Sequence, residues 1–342
     1  MLLALAATGT AVYFKYFRHL GQSPDSADID PLPALERFEA KRPLLGTEFQ
    51  IIVFAPSEAA ATAAFDAAFA HGTAISEACS GDHPDRGLAK LHTAPAGTPV
   101  TIAPILTAIL AHALEKADIT DGAFDPTLGT LTSLWQQSRE SGSLPADDAL
   151  ATAREASGWK HLELDLTNNT ATLKKPGMKI DLGGIATGYA ADEMFRTLER
   201  QGITRAHIRA GTLARLGDPP PGKEGWSVPL RMFNRTNQES VVVANCGVST
   251  AGDLDQFVDI DGQRYAHLMD PATGLGLTRR VVAAIIAPTA TESAPLATFA
   301  CIAPDTATQV FIGGEIRCRV ITISGADFQD RRSPNFPNLQ AF

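Results

Sequence analysis

Runs of apolar residues, set off by glycine, proline and polar clusters, are the main regularity along the chain. Residues 47–54 (TEFQIIVF) are rich in β-branched and aromatic side chains and predict a strand. Alanine dominates residues 57–79, and alanine is the best helix former, so a helix is expected there. Residues 103–118 predict a second helix. Between LELDL and TATLKK, Asn168-Asn169 marks the turn of a hairpin over residues 162–175. A strand ending at Asp181 is expected to run through Gly183-Gly184 into an amphipathic helix. Ile185, Tyr189, Met194, Phe195 and Leu198 supply the apolar spacing of that helix. Residues 217–225 (GDPPPGKEG) must be a loop, since three successive prolines fit no regular element. Residues 241–245, 281–287 and 318–324 predict further strands. Helices and strands intermix without a βαβ period or internal repeat. The expected fold class is therefore α+β, with mixed sheets and packed helices.

The ends read differently. Residues 1–14 (MLLALAATGTAVYF) carry no charged side chain, and Lys15 and Arg18 follow. That run is shorter than the ~20 residues needed to span a bilayer. It suits an export or anchoring segment (residues 1–19), which implies an exported or membrane-anchored protein, on the periplasmic side if the source is bacterial. Residues 20–41 read as a polar, proline-containing linker, residues 42–325 as the folded domain, and residues 326–342 as a tail laid over the surface.

Composition narrows the partners. Of 342 residues, 44% are hydrophobic and 20% charged, enough apolar material for a real core. Lys+Arg of 29 against Asp+Glu of 38 leaves a net charge of −9, which gives no electrostatic basis for nucleic-acid binding. Any phosphate must be met by backbone N–H groups, a helix N-terminus or a metal. Cys79, Cys246, Cys301 and Cys318 lie far apart without a CxxC, and there is no HExxH. If a metal binds, oxygen ligands and Mg²⁺ are expected over a His/Cys site.

Four segments carry candidate chemistry. KIDLGGIATGYAAD (residues 179–192) combines Asp181, a glycine turn and a helix start, an arrangement suited to phosphate and equally to a tight structural turn. In residues 265–274, His267 and Asp270 flank a turn that contains Pro271 and closes at Gly274. His267 can serve as a base, whereas Asp270 can simply start the turn. Asp125-Pro126 reads as a helix start with proline at the first position. CGVSTAGD (residues 246–253) is not a serine-hydrolase elbow, because its glycine spacing is wrong.

Taken in order, these segments resemble the ApbE-type FAD:protein FMN transferase family over residues 42–314. Leu45-Gly46-Thr47 stands where the family has Met-Gly-Thr. DGAFDPTLGTLTSLW follows, and then KIDLGGIATGYAAD, similar to the family's DLGGIAKGYAVD. STAGD stands at the family's TSGDY, AHLMDPATG resembles HIIDPxTG, and SAPLATFA (residues 293–300) stands at ADALATAL.

The resemblance implies a flavin-binding, Mg²⁺-dependent enzyme that splits FAD and passes FMN to a Ser or Thr hydroxyl of a target protein, releasing AMP. It implies an acceptor protein of membrane electron transport, with membrane attachment through residues 1–14. By the same resemblance, FAD contacts fall on Leu45, Gly46, Thr47, Asp125, Asp181, Gly183, Gly184, Ile185, Tyr189, His267, Asp270 and Thr273. His267 is the implied catalytic residue, and metal contacts fall on the Ala186 carbonyl and on Thr298. Three positions depart from the pattern: Ala294 replaces the metal-ligand aspartate, Thr212 replaces a flavin-site aspartate, and Thr187 replaces a lysine. These departures leave a second reading open, a protein on this fold that binds FAD or FMN without transferring it.

Overall fold

The computed structural model describes residues 34–81, 87–233, 239–254, 256–311, 314–325 and 327–341. The chain divides into residues 1–35 and a compact unit Glu36–Phe342, and the second unit is the one described below. The apolar segment 1–19 lies outside the described residues. Among those residues, no helix is long and apolar enough to cross a membrane.

The compact unit begins with β1 (Glu36–Leu44), β2 (Thr47–Ala55), α1 (Glu58–Cys79), α2 (Gly87–Thr93), β3 (Val100–Thr101) and α3 (Pro104–Ile119). Next come α4 (Gly129–Ser141), α5 (Asp147–Glu155), the hairpin β4 (Leu162–Asp165) and β5 (Thr170–Leu173), and α6 (Ala186–Arg200). The middle of the chain gives β6 (Ala206–Ala210), β7 (Leu213–Leu216), β8 (Trp226–Leu230), β9 (Glu239–Val243) and β10 (Cys246–Gly252). It continues with β11 (Phe257–Ile260), β12 (Gln263–Ala266), β13 (Met269–Asp270), β14 (Leu275–Gly276) and β15 (Arg280–Ala287). The chain finishes with α7 (Ala290–Ile302), α8 (Pro304–Val310), β16 (Arg317–Ser324), β17 (Asp327–Arg332) and β18 (Gln340–Ala341). The expected α+β class holds.

One eight-stranded sheet, in the order β1-β2-β6-β7-β10-β15-β16-β17, organises this unit, and every neighbouring pair is antiparallel. Two of its strands, β2 and β15, pack apolar side chains on both faces. On β2, Phe49, Ile51 and Val53 share a core with Ala64, Phe69, Ala190 and Met194 of α1 and α6. Ile52 and Phe54, between them, pack on the other side with Trp226 of the small sheet β18-β9-β8. On β15, Val281, Ala283 and Ile285 meet Leu296 and Ala300 of α7, whereas Val282, Ala284 and Ile286 meet Val228 and Val241. Each fully buried Val or Ile contributes roughly 1.5–3 kcal/mol.

Three boundaries differ from the sequence expectation. The linker stops before residue 36, because Glu36 to Leu44 form an edge strand paired residue for residue with β2. The tail is not merely laid over the surface: β17 closes the far edge of the sheet against β16, and β18 pairs with β9. The strand expected before Asp181 is a single parallel bridge, Leu128 to Lys179, and the segment around it is tied to several neighbours in turn. Its bonds run from Thr130 Oγ1 to Gly177 O at 2.6 Å, from Gly129 N to Lys179 O at 3.0 Å, and from Asp181 N to Pro126 O at 2.8 Å.

Candidate active site

The β1–β2 hairpin closes through Leu45 and Gly46, whose φ angles are +49° and +73°. Two left-handed residues are what a two-residue hairpin loop demands. Glycine adopts that conformation freely, whereas Leu45 is held there at a cost of roughly 1–3 kcal/mol. This turn projects Leu45 and Thr47 into a cleft of about 670 Å³. Other walls come from Phe124 and Asp125, from Asp181, Gly183, Gly184 and Thr187, from Thr212, from residues 249–252, from His267, and from Ala294 and Thr298 of α7. A second cleft, about 490 Å³, shares Leu45, Asp181, Gly183 and Thr187 with the first and adds Ala186 and Ser80. The glycine turn thus forms a partition that borders both.

That turn is built by local bonds. Asp181 Oδ1 accepts from Gly183 N at 2.8 Å, and Ile185 N and Ala186 N both bond the Leu182 carbonyl. Glycine at 184 answers a close approach: a Cβ there would lie 2.9 Å from the Phe124 ring. The helix that follows has Ile185 at its cap position, with no side chain bonding its first turn. The Leu182 carbonyl takes Ala186 N, but no side chain caps the next N–H groups, and Thr187 in this first turn lines both clefts, at the partial positive charge of a helix start.

His267 sits in the bend between β12 and β13, half-buried. Its backbone N–H and its Nδ1 both face the Gln256 carbonyl, at 2.9 Å and 3.3 Å. A carbonyl only accepts, so Nδ1 carries the proton and the Nε2 lone pair is left free. Burial pushes the ring below the usual histidine pKa; the Gln256 bond and Asp253 oppose that shift, and Arg139 adds to it. His267 is consequently neutral near pH 7, the form able to take a proton.

The other candidates separate into lining and scaffold. Asp125 lines the cleft, but its oxygens are engaged by Thr127 N (2.7 Å), Thr127 Oγ1 (2.6 Å) and Trp159 N (3.0 Å). The helix expected to start there begins instead at Gly129, because this Asx turn comes first. Asp270 acts as a turn former: Ala272 N bonds its Oδ1, and Thr273 N and Gly274 N bond its carbonyl. Neither Asp270 nor Thr273 lines the cleft. Ile185 is fully buried, and Tyr189 is a core residue whose ring lies 5.9 Å from His112. Trp135, like Phe124, does reach the cleft, with its Nε1 bonded to Ala266 O at 3.3 Å and its ring 5.6 Å from Tyr265.

The donors at hand do not build a divalent-cation site. Ala294 presents a methyl group to the cleft. Glu292, two residues before it, is turned to other work as Thr289's capping partner and an ion pair with Lys116. Ala186 borders the smaller cleft and Thr298 the larger, and both offer only neutral oxygens. Among the described residues, no three acidic, His or Cys side chains converge. All four cysteines are free thiols.

Gln136, Arg139 and the Gln256 carbonyl are site features that motif reading missed. The α4 residues were accessible by spacing, since Leu128, Thr132, Trp135, Gln136 and Arg139 recur every three to four residues along one face. A backbone carbonyl leaves no sequence signal.

Residues 45–320 match the model of the ApbE family. The chain belongs to that family. It is 29% identical over 324 residues to the FAD:protein FMN transferase of Klebsiella pneumoniae, covering 91% of this chain and 92% of that one. It is 30% identical over 236 residues to the enzyme of that name from Treponema pallidum, covering 64% of this chain and 65% of that one. Among solved structures, the ApbE protein of Thermotoga maritima superposes with a TM-score of 0.77 at 26% identity, covering 87% of this chain and 97% of that one. The flavin transferase ApbE of Vibrio cholerae superposes at 0.80 with 23% identity, covering 88% and 98%, a likeness of fold.

Proposed function

We propose that this chain is an FAD:protein FMN transferase acting at the cleft between the glycine turn and His267. Family membership sets the reaction class. The observation that carries the reading to this chain is a neutral histidine whose free Nε2 shares a cleft with an uncapped helix start. The acceptor hydroxyl oxygen bonds to the phosphorus of the FMN half, and that phosphorus loses its bond to the bridging oxygen, which leaves with AMP. His267 Nε2 takes the hydroxyl proton, and the Gln256 carbonyl holds the ring in the required tautomer. The α6 N-terminus and the Gly184 amide meet phosphate oxygens, and Trp135 offers the flavin an aromatic wall. The chemistry is mostly positioning and charge stabilisation, as in phosphoryl transfer generally.

The same reading assigns FAD contacts to Leu45, Thr47 and Asp181. Mg²⁺ would supply charge neutralisation at the pyrophosphate where a site for it exists, but Ala294 leaves this chain without the matching carboxylate, and no step here depends on it. The uncharged run 1–14 supports export or anchoring close to an acceptor of membrane electron transport.

The test is to incubate the protein with FAD and a peptide carrying a single Ser or Thr, then weigh the peptide by mass spectrometry. The expected result is a gain equal to one FMN, absent when the hydroxyl residue is alanine. FAD bound with no mass gain would favour the non-transferring flavin binder.

A further inference from the structure

Arg139 stands in the last turn of α4 and lines the larger cleft. Its direction is set by Trp135 one turn earlier, which is buried and bonded to Ala266 O, so this face of α4 is fixed against the strand that delivers His267. Among the described residues Arg139 has no ion pair and no hydrogen bond, and its Nε is buried without a partner. The other permanent cation lining the cleft, Arg231, already has a partner of its own.

The surrounding charges make an unpartnered guanidinium there significant. Asp125 and Asp181 line the same cleft, and the whole chain carries −9. A pyrophosphate entering such a site meets repulsion unless a cation is waiting. Ala294 lines the same cleft with a methyl group and offers no side-chain ligand for a metal. A planar guanidinium offers two parallel N–H donors to phosphate oxygens and keeps its charge at any working pH.

We infer that Arg139 is the phosphate-binding cation of this chain, holding the flavin's phosphate groups from the α4 side without a resident metal. The inference takes its ligand class from the flavin-transferase reading, but it is tested by binding, so the two fail separately. Absent AMP release would remove transfer and leave Arg139's contact standing.

The test is equilibrium binding of FAD, FMN and riboflavin in EDTA, followed by flavin fluorescence, for the full chain and for Arg139→Gln and Arg139→Lys. Riboflavin has the same ring and no phosphate. Arg139→Gln is expected to weaken FAD and FMN by about 10- to 100-fold, the worth of a charge-assisted hydrogen bond, with riboflavin unchanged. Arg139→Lys should recover part of the loss, and it keeps the test decisive if the glutamine variant folds poorly. Equal weakening of all three flavins, no weakening of any, or a wild-type preference for FAD over riboflavin that vanishes in EDTA would each overturn the inference.

Discussion

Two helices start within this core and treat their leading N–H groups in opposite ways. At α7, Thr289 Oγ1 accepts from Glu292 N at 3.2 Å, and the buried Asp192 takes Ala290 N, Thr291 N and Thr291 Oγ1 at 3.1, 2.7 and 2.5 Å. Arg215 Nε lies 2.8 Å from the same carboxylate, off the hydrogen-bonding direction but close enough to pair its charge. At α6 the cap residue is Ile185, and no side chain serves the first turn. One start is fully used by the protein and anchors the fold. The other has the Leu182 carbonyl for Ala186 N but no carboxylate, at the rim of two clefts, where a ligand's oxygens can do what Asp192 does for α7.

The contrast can be broken at several points. His267→Ala should cost the transfer rate about 10²- to 10⁴-fold, the usual worth of a positioned base, with FAD binding and the unfolding midpoint close to wild type. Because the neutral ring is the active form and burial lowers its pKa, the wild-type rate should hold at a pH where an ordinary histidine is already charged. It should then fall as acid protonates His267. At the closed helix start, Asp192→Ala should lower stability by about 3–5 kcal/mol in urea titrations, since it orphans two amides and leaves Arg215 unpaired. The fraction that stays folded should still bind FAD. Gly184→Ala sits between these extremes: its methyl would press on Phe124 and is expected to cost about 1–3 kcal/mol while also weakening FAD.

The smallest effect concerns the support beneath the open turn. His92 Nε2 accepts from Ile180 N at 2.8 Å, and burial, with Lys179 nearby, lowers the ring's pKa to about 4 from an ordinary 6.5. The unfolded chain takes up this proton near pH 6.5 and the folded chain resists it. The stability His92 contributes is therefore whole above that pH and drains away as acid approaches 4. Urea titrations of wild type and His92→Gln should differ more at pH 7 than at pH 5.

What the chain discloses by pattern follows from what each strand touches. β2 and β15 announce themselves because both of their faces bury apolar side chains. β1 (ERFEAKRPL) and β17 (DFQDRR) do not, and these two are the edges of the sheet, where charged side chains guard unpaired backbone. They read as linker and tail for that reason. The glycine turn, His267 and the Leu45-Gly46-Thr47 loop were legible as motifs, but their roles were not equally so. Asp270 and Tyr189 carry motif positions and serve turn and core, while Arg139 carries none and faces the cleft. The Gln256 carbonyl, which fixes the tautomer of His267, has no side-chain signature at all.

The most direct test of the central claim counts both products of one reaction. Protein, FAD and a Ser- or Thr-bearing acceptor are mixed, and AMP and acceptor-bound FMN are quantified over the same time course. Transfer at this cleft predicts equal amounts of the two, both slowed about 10²- to 10⁴-fold by His267→Ala and abolished by removing the acceptor hydroxyl. Saturating FAD binding with neither product formed would contradict it.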